Sequence, residues 1–458
     1  DGLPRLRHLT TRVTSSPAPG RRPHLDRITW ITYLQLSLFA FFLYGFGATQ
    51  ALLRDEQGTS RTIASLHAIV FAAANVVAGL LIPRLMERWG RGRVIRYAVI
   101  VMSLGIAVYT APFGLPASLI GTALVSCGGV SLVATANAFI LDYQGSAGPA
   151  ALTQANALAA LFGFLVPLII GLTTALAWGW RTGLWALIVA LLVTELLRSR
   201  QPHTPRLQLA QGPRPQHPTT AGCSGHDHSP MPRRFWWSLG VVGLLLATEF
   251  TLTLWSADLL RERAGLGPAA AAASLAAVTG GMFLGRIVGS RLAQRWSVDR
   301  LLVSSIVLTL SAFFIAWTFT RAWVIVTALF VVGLGIAVHW PIGVSRAVAS
   351  SGGRIDRASG LSSVAAGVAG GIAPFVLGVL SDQIGFHLAF LTVPVLLVTA
   401  LALLLIRPVT ITEPAPEPEP VNDDALRRLT RDDPAGASPP EPTTADRPAA
   451  DDRPPHSQ

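Results

Sequence analysis

The chain has 458 residues, of which 51% are hydrophobic and only 13% charged, and its formal net charge is +11. Soluble domains carry about 25% charged residues, so the composition argues against an ordinary soluble enzyme or binding module and for a polytopic membrane protein. All 36 basic residues are arginine, and the lack of lysine excludes a Walker A phosphate loop and a Schiff-base catalyst.

A helix crosses a hydrocarbon core of about 30 Å with roughly 20 apolar residues, and twelve such runs follow one another. Residues 1–27 form an arginine- and proline-rich tail in which no cleavable signal is expected. Spans are predicted over 28–53, 60–82, 94–112, 116–141, 150–174 and 179–198, which make a first six-helix bundle, 28–198. The stretch 199–234, rich in Pro, His, Gly and Arg, reads as a flexible linker. A second bundle, 235–406, holds spans over 235–260, 268–292, 299–319, 322–345, 357–380 and 384–406. The remainder, 407–458, sets eleven acids against five arginines beyond Arg407 among many prolines, and it reads as a disordered tail.

Arginine placement orients these spans. Of the 31 arginines up to Arg407, 25 fall on the side of the N-terminus, leaving Arg54, Arg61, Arg181, Arg261, Arg263 and Arg321 on the other. Basic segments resist translocation, so both termini and the linker are expected in the cytoplasm. The chain also repeats itself. An offset of 207 places Trp89 on Trp296, Leu52-Leu53-Arg54-Asp55 on Leu259-Leu260-Arg261-Glu262, and Gly163, Pro167 and Gly171 on Gly370, Pro374 and Gly378. Parallel duplicated halves are a recurring transporter construction.

The segment Pro83-Arg84-Leu85-Met86-Glu87-Arg88-Trp89-Gly90-Arg91-Gly92-Arg93 resembles the loop between the second and third helices of the major facilitator superfamily. Leu85, Arg88, Gly90 and Arg91 match that family's pattern, Glu87 stands for its aspartate, and Pro83 departs from its glycine. The second copy carries Arg295 but has Gln294 for the acid and Ser297 for the glycine. "PLIIGLTTALAWGWR" and "PFVLGVLSDQIG", around Asp382 and Gly385, look like the family too. The resemblance implies an all-α fold of twelve transmembrane helices in two parallel-related six-helix bundles. It further implies transport by alternating access, with spans 1, 4, 7 and 10 lining a central cavity. In the family this loop stabilises one access state, so Glu87, Arg88, Gly90, Arg91, Arg93 and Arg295 are expected at a cytoplasmic gate. The plainer alternative is that these arginines only set topology.

Ionisable groups at membrane depth cost about 2.5–3.5 kcal/mol on insertion scales and usually face a cavity. Glu249 lies mid-span in the seventh run and His339 in the tenth, before Trp340 and Pro341. A buried carboxyl or imidazole can carry a coupling proton. The alternative for Glu249 is a fixed hydrogen bond to Thr248 or Thr253. Further cavity candidates are Gln35, Tyr44, His67, Asn75, Asn137, Trp255, Trp340 and Arg286. For His67 the competing reading is a packing histidine, and for Arg286 it is snorkelling or an ion pair. Gly281, Gly285 and Gly289, with Ala74 and Ala78 at the equivalent places, predict close helix packing, and Pro167 and Pro374 predict bends.

Two remaining features carry less. Cys127 and Cys223 suggest no disulfide. Cys223, His226, His228 and Met231 in the linker form a weak soft-metal cluster, and the spacing fits no closed site. No nucleophile with a base, no paired carboxylates and no His-Glu-x-x-His pattern suggest an enzyme. The reading is therefore a proton-coupled transporter of a small organic solute in a bacterial plasma membrane. It is expected to work as a monomer, with no cofactor and no nucleic-acid partner. A multidrug or metabolite exporter of the same fold and a non-transporting membrane sensor are the alternatives. Val166, rather than glycine, precedes Pro167, which departs from an antiporter signature.

Overall fold

A computed structural model describes residues 23–201 and 230–406 of the chain; the linker cluster of Cys223, His226 and His228 and the acidic tail lie outside the described residues. Every regular element among the described residues is helical, and twelve spans are long and apolar enough to cross a membrane. The first set comprises α1 (Arg27–Gln57), α2 (Arg61–Trp89), α3 (Arg91–Tyr109), α4 (Gly114–Gln144), α5 (Gly148–Ala175) and α6 (Trp180–Ser199). The second comprises α7 (Arg233–Ala264), α8 (Pro268–Leu292), α9 (Val298–Thr318), α10 (Ala322–Ile336), α11 (His339–Ala349), α12 (Ile355–Ile384), α13 (Phe386–Ala389) and α14 (Thr392–Ile406). Large apolar side chains such as Leu80, Leu104, Val189, Val395 and Leu405 stay exposed on the outer faces, as a surface solvated by lipid tails requires.

The 207-residue repeat governs where helices stop. Gly58 and Gly265 are one offset apart, and each closes its helix in the left-handed conformation, φ 60° and 64°, which glycine adopts without a Cβ penalty. The next helices start after Ser60 and Gly267, again one offset apart. The Ser60 hydroxyl accepts from the Ile63 N–H at 3.3 Å, satisfying one of the orphan donors of a helix N-terminus.

Three spans differ from the sequence expectation. The second does not end at 82: Pro83 lies inside α2, and the helix runs on to Trp89. Leu, Met, Glu and Arg are good helix formers, and the stop comes only at Gly90, φ 76°. The arginine segment is therefore mostly helix end rather than loop. The tenth span breaks between Ile336 and His339, and the twelfth between Ala389 and Thr392. In both cases the interrupted carbonyl, Ala337 or Phe390, stands four residues before a proline, Pro341 or Pro394. A proline there supplies no N–H and crowds that carbonyl. Pro167 and Pro374 lie inside α5 and α12, which continue through them.

Glycines set the tightest crossings. A Cβ on Gly121 would fall 2.2 Å from the Tyr109 nitrogen, so α3 and α4 touch backbone to backbone. Gly281 and Gly285 do the same against α10, where a Cβ would meet the Phe330 and Leu334 carbonyls at 2.1 and 2.7 Å, and Gly289 packs on Val338. The stripe on α8 thus packs within its own half. Contacts between the halves use other small residues: Gly171 of α5 against Ala273 of α8, and Gly378 and Gly371 of α12 against Ser65 and Ala72 of α2.

Candidate functional site

The site lies where α1, α2, α7, α8 and α12 meet. α1 and α7 approach so closely that a Cβ on Gly47 would lie 2.4 Å from the Thr253 carbonyl. In each half an aromatic ring covers a glycine: Tyr44 lies on Gly163 and Phe250 on Gly370, each glycine four residues before an in-helix proline. Beside this contact a cavity of about 90 Å³ is walled by Phe46, Phe71, Asn75, Phe250, Thr253 and Pro374. The Trp255 indole N–H donates to the Pro374 carbonyl at 3.1 Å, tying α7 to α12.

At the same level of α1 and α7 lies a charged cluster. Arg286 of α8 lies near the Tyr44 hydroxyl of α1, with Glu249 of α7 in the same neighbourhood. Glu249 is 9% exposed, and its Oε2 has no hydrogen-bond partner. Neither threonine weighed for it bonds the carboxyl: Thr248 donates to the Leu244 carbonyl, and Thr253 to the backbone carbonyls of Glu249 and Phe250. Arg286 turns toward the other half rather than snorkelling to the membrane surface.

The remaining candidates divide. Asn75 lines the cavity. Gln35, His67, Asn137, Trp255 and Trp340 do not line it. Gln35 instead donates to Glu195 at 3.3 Å, in a cluster that Arg198 (2.7 Å) and Arg96 (3.3 Å) complete, joining α1, α3 and α6. His67 has both ring nitrogens engaged, with the Ala64 carbonyl and the Ser118 hydroxyl, each at 2.9 Å. His339 is fully buried against the Leu245 backbone of α7, with neither ring nitrogen hydrogen-bonded. Asn137 is half-buried on α4 and Trp340 is 37% exposed.

The two ends of the interface differ. Call the end that holds Arg27 and Gly90 the near face, and the end that holds Gly58 and Gly265 the far face. On the far face the halves are bound by three ion pairs: Arg54–Asp258 at 2.6 Å, Arg261–Asp55 at 2.6 Å and Arg61–Glu262 at 3.4 Å. Asp382 of α12 accepts the Thr62 N–H at 2.8 Å and the Arg61 N–H at 3.3 Å, so it caps α2 from the opposite half where the helix dipole favours a carboxylate. Arg61 also lies over the Phe386 ring, 4.9 Å from its centroid.

On the near face Glu87, Arg88, Arg93 and Arg295 are exposed, and among the described residues Glu87 and Arg88 enter no ion pair. Arg91 pairs with Asp142 at 2.7 Å inside its own half. The second half holds the same junction with charges exchanged: Asp299 at the start of α9 pairs at 2.7 Å with the buried Arg346 at the end of α11, which also donates to Ser238. The sequence signal for the far-face pairs was the repeated Leu-Leu-Arg-acid motif. For Asp299–Arg346 the only signal was an arginine and an acid at helix ends.

The chain matches the sequence profile of the Major Facilitator Superfamily over residues 32–289 and 238–445. No curated protein matches it in sequence. Among solved structures it resembles a bacterial homolog of the human lysosomal transporter Spinster, inward-facing and unoccupied, with a TM-score of 0.66 at 14% identity over 83% of this chain and 96% of that one. A mutant of the nucleoside transporter NupG gives a TM-score of 0.66 at 13% identity, over 83% and 99%. The xylose transporter XylE from E. coli, partially occluded and inward-open, gives 0.66 at 13%, over 84% and 99%. At such identities the likeness establishes the fold.

Proposed function

The chain belongs to the Major Facilitator Superfamily, and on that premise we propose that it moves a small organic solute across a bacterial plasma membrane by alternating access, coupled to protons through Glu249. One observation carries the reading: a buried carboxyl with an unpartnered oxygen, Glu249, lies on α7 close to where that helix meets α1 of the other duplicated half. A charge at that depth is costly unless paired. A change in the charge beside Glu249 therefore changes whether it holds a proton.

Sidedness follows from the arginines. Their excess on the near face makes that face cytoplasmic, so the far-face ion pairs close the outside, and the arrangement is the inward-facing state. The exposed Glu87 and Arg88 fit this state, because a contact that seals the cytoplasmic mouth is broken when that mouth is open. The cavity between α1, α2, α7 and α12 is the place for the solute, with Phe46, Phe71 and Phe250 as apolar walls and Asn75 and Thr253 as polar fixtures. Binding sites of this kind are apolar with few polar groups.

The test is thermal stability of the purified chain against a solute library at several pH values, with Glu249→Gln as control. The expected result is a set of stabilising solutes whose effect depends on pH in the wild type and loses that dependence in the variant. Solutes that stabilise both proteins with the same pH profile would remove the proton assignment. Stabilising solutes that then show no flux in proteoliposomes would favour a sensor.

A further inference from the structure

We propose that the protein carries a binding site for an anionic glycerophospholipid on its outer surface, in a groove between α9 and α14 with Arg300 at its mouth. The site stands apart from the transport reading and does not depend on it. The groove has a volume of about 630 Å³ and is walled by Arg300, Val303, Val307 and Leu308 of α9 and by Leu404 and Leu405 of α14. On α9 the wall runs from Asp299 to Ser311 in steps of three and four residues, which is one face of a helix. Val307, Leu308 and Leu405 are 48%, 41% and 64% exposed, so the groove opens outward, where lipid tails are the solvent.

Depth and charge together select the occupant. The stretch from Asp299 to Ser311 extends about 18 Å along a helix, and one leaflet contributes roughly 15 Å of a hydrocarbon core of about 30 Å. The groove therefore starts at the near face and ends near mid-membrane, the reach of an acyl chain anchored in the near-face leaflet. A transmembrane helix of a second copy would need a seam through the full depth. Ser304 returns its hydroxyl to the Leu301 carbonyl at 3.0 Å, so the wall below the mouth is apolar down to Ser311. At the mouth the Arg300 side chain is exposed and enters no ion pair among the described residues, whereas Asp299 beside it is committed to the buried Arg346 at 2.7 Å. An arginine can line a groove with its stem and hold its charge at headgroup level, and its planar fork matches a phosphate. Arg295 and Trp296, both exposed on the turn before α9, add a second cation and an interfacial ring. The excess charge at the mouth is positive, so an anionic head gains more there than a zwitterionic one.

The probe is phosphatidylglycerol with a photoactivatable group midway along one acyl chain, set against phosphatidylcholine with the same chains. Each is added in trace amount to the full chain in nanodiscs of neutral lipid, and the cross-linked peptides are mapped. The internal reference is the larger groove between α7 and α12, of about 960 Å³, whose lining, Leu239, Ala369 and Val376 among it, holds no charged residue. Phosphatidylglycerol should label residues 303–311 and 404–405 at least about fivefold more than phosphatidylcholine does, the scale of one basic residue at an anionic surface. The reference groove should take both lipids alike. Arg300→Gln should remove the preference, and Arg84→Gln, which takes one exposed arginine from the same face in the other half, should retain it. Val307→Trp, which fills the groove from a lipid-exposed position, should lower labelling of the site by both lipids.

Equal labelling of the site by the two lipids would overturn the proposal, as would a preference that survives Arg300→Gln or is lost equally in Arg84→Gln. Glycerol phosphate that suppresses labelling as well as unlabelled phosphatidylglycerol does would replace the lipid with a free phosphate and overturn it too. Disulfide-linked dimers of Val307→Cys in the same nanodiscs, absent from the wild type and accompanied by no labelling of the groove, would assign the groove to a second copy instead.

Discussion

Arg346 and Asp299 illustrate how much one buried charge can hold. The arginine is 1% exposed by side chain and bonds both the Asp299 carboxylate and the Ser238 hydroxyl, so it ties α11 to α9 and α7. Removing one partner of such a pair typically costs about 3–5 kcal/mol because the other charge is stranded. Arg346→Ala should therefore lower thermal stability by that order in detergent, and Arg346→Ala with Asp299→Asn should recover part of the loss. A small-to-large change at the backbone contacts is the second residue-scale expectation. Gly281→Ala would press on the Phe330 carbonyl and should cost about 1–3 kcal/mol, read in the same melting assay, whereas Gly240→Ala, with nothing within 4 Å of the added carbon, should be nearly neutral. Glu249 stood out in the sequence because a lone acid inside an apolar run is expensive. Its relation to Arg286 did not, since one residue sits on α7 and the other on α8, and spacing along the chain does not say which way a long side chain turns. His67 shows the converse, since the Ser118 hydroxyl that occupies its Nε2 is 51 residues away.

Helices and their ends carry the next level. Arg54 and Arg261 occupy the same place in the two copies of the repeat, and each reaches an acid of the opposite half. The motif was plain in the sequence, but its cross-pairing was not, because reciprocity follows only once the halves face each other. Charge removal at both, Arg54→Gln with Arg261→Gln, should loosen the far face. Spin labels placed on the two loops 58–60 and 265–267 should then report a longer and broader distance than in the wild type, and an unchanged distribution would mean that the small-residue contacts of α2 with α12 and α5 with α8 suffice to seal it. Asp382→Ala removes a carboxylate from the first turn of α2 and should shift the same distance in the same direction, with an energy near the about 0.5–2 kcal/mol of an N-cap. The breaks before Pro341 and Pro394 were missed for a simpler reason. Hydropathy runs straight through them, while proline acts four residues earlier than where it is written.

Across the molecule, duplication explains more than any single motif. One offset relates helix ends, left-handed glycines and in-helix prolines, and the repeated halves were legible from three short anchors. What the repeat does not conserve is charge. Arg91–Asp142 and Asp299–Arg346 perform one junction with opposite polarity, and Glu249 and Arg286 have Phe42 and Gly79 at the corresponding places of the first half. The charged groups are thus asymmetric on a symmetric frame.

Proton-driven flux tests this most directly. The wild type and Glu249→Gln are reconstituted in liposomes, and uptake of the stabilising solutes is followed with and without an imposed pH gradient, alongside solute exchange at equal pH. The expected result is accumulation in the wild type driven by the gradient, and in Glu249→Gln exchange without accumulation. Gradient-driven accumulation by Glu249→Gln at the wild-type level would contradict it.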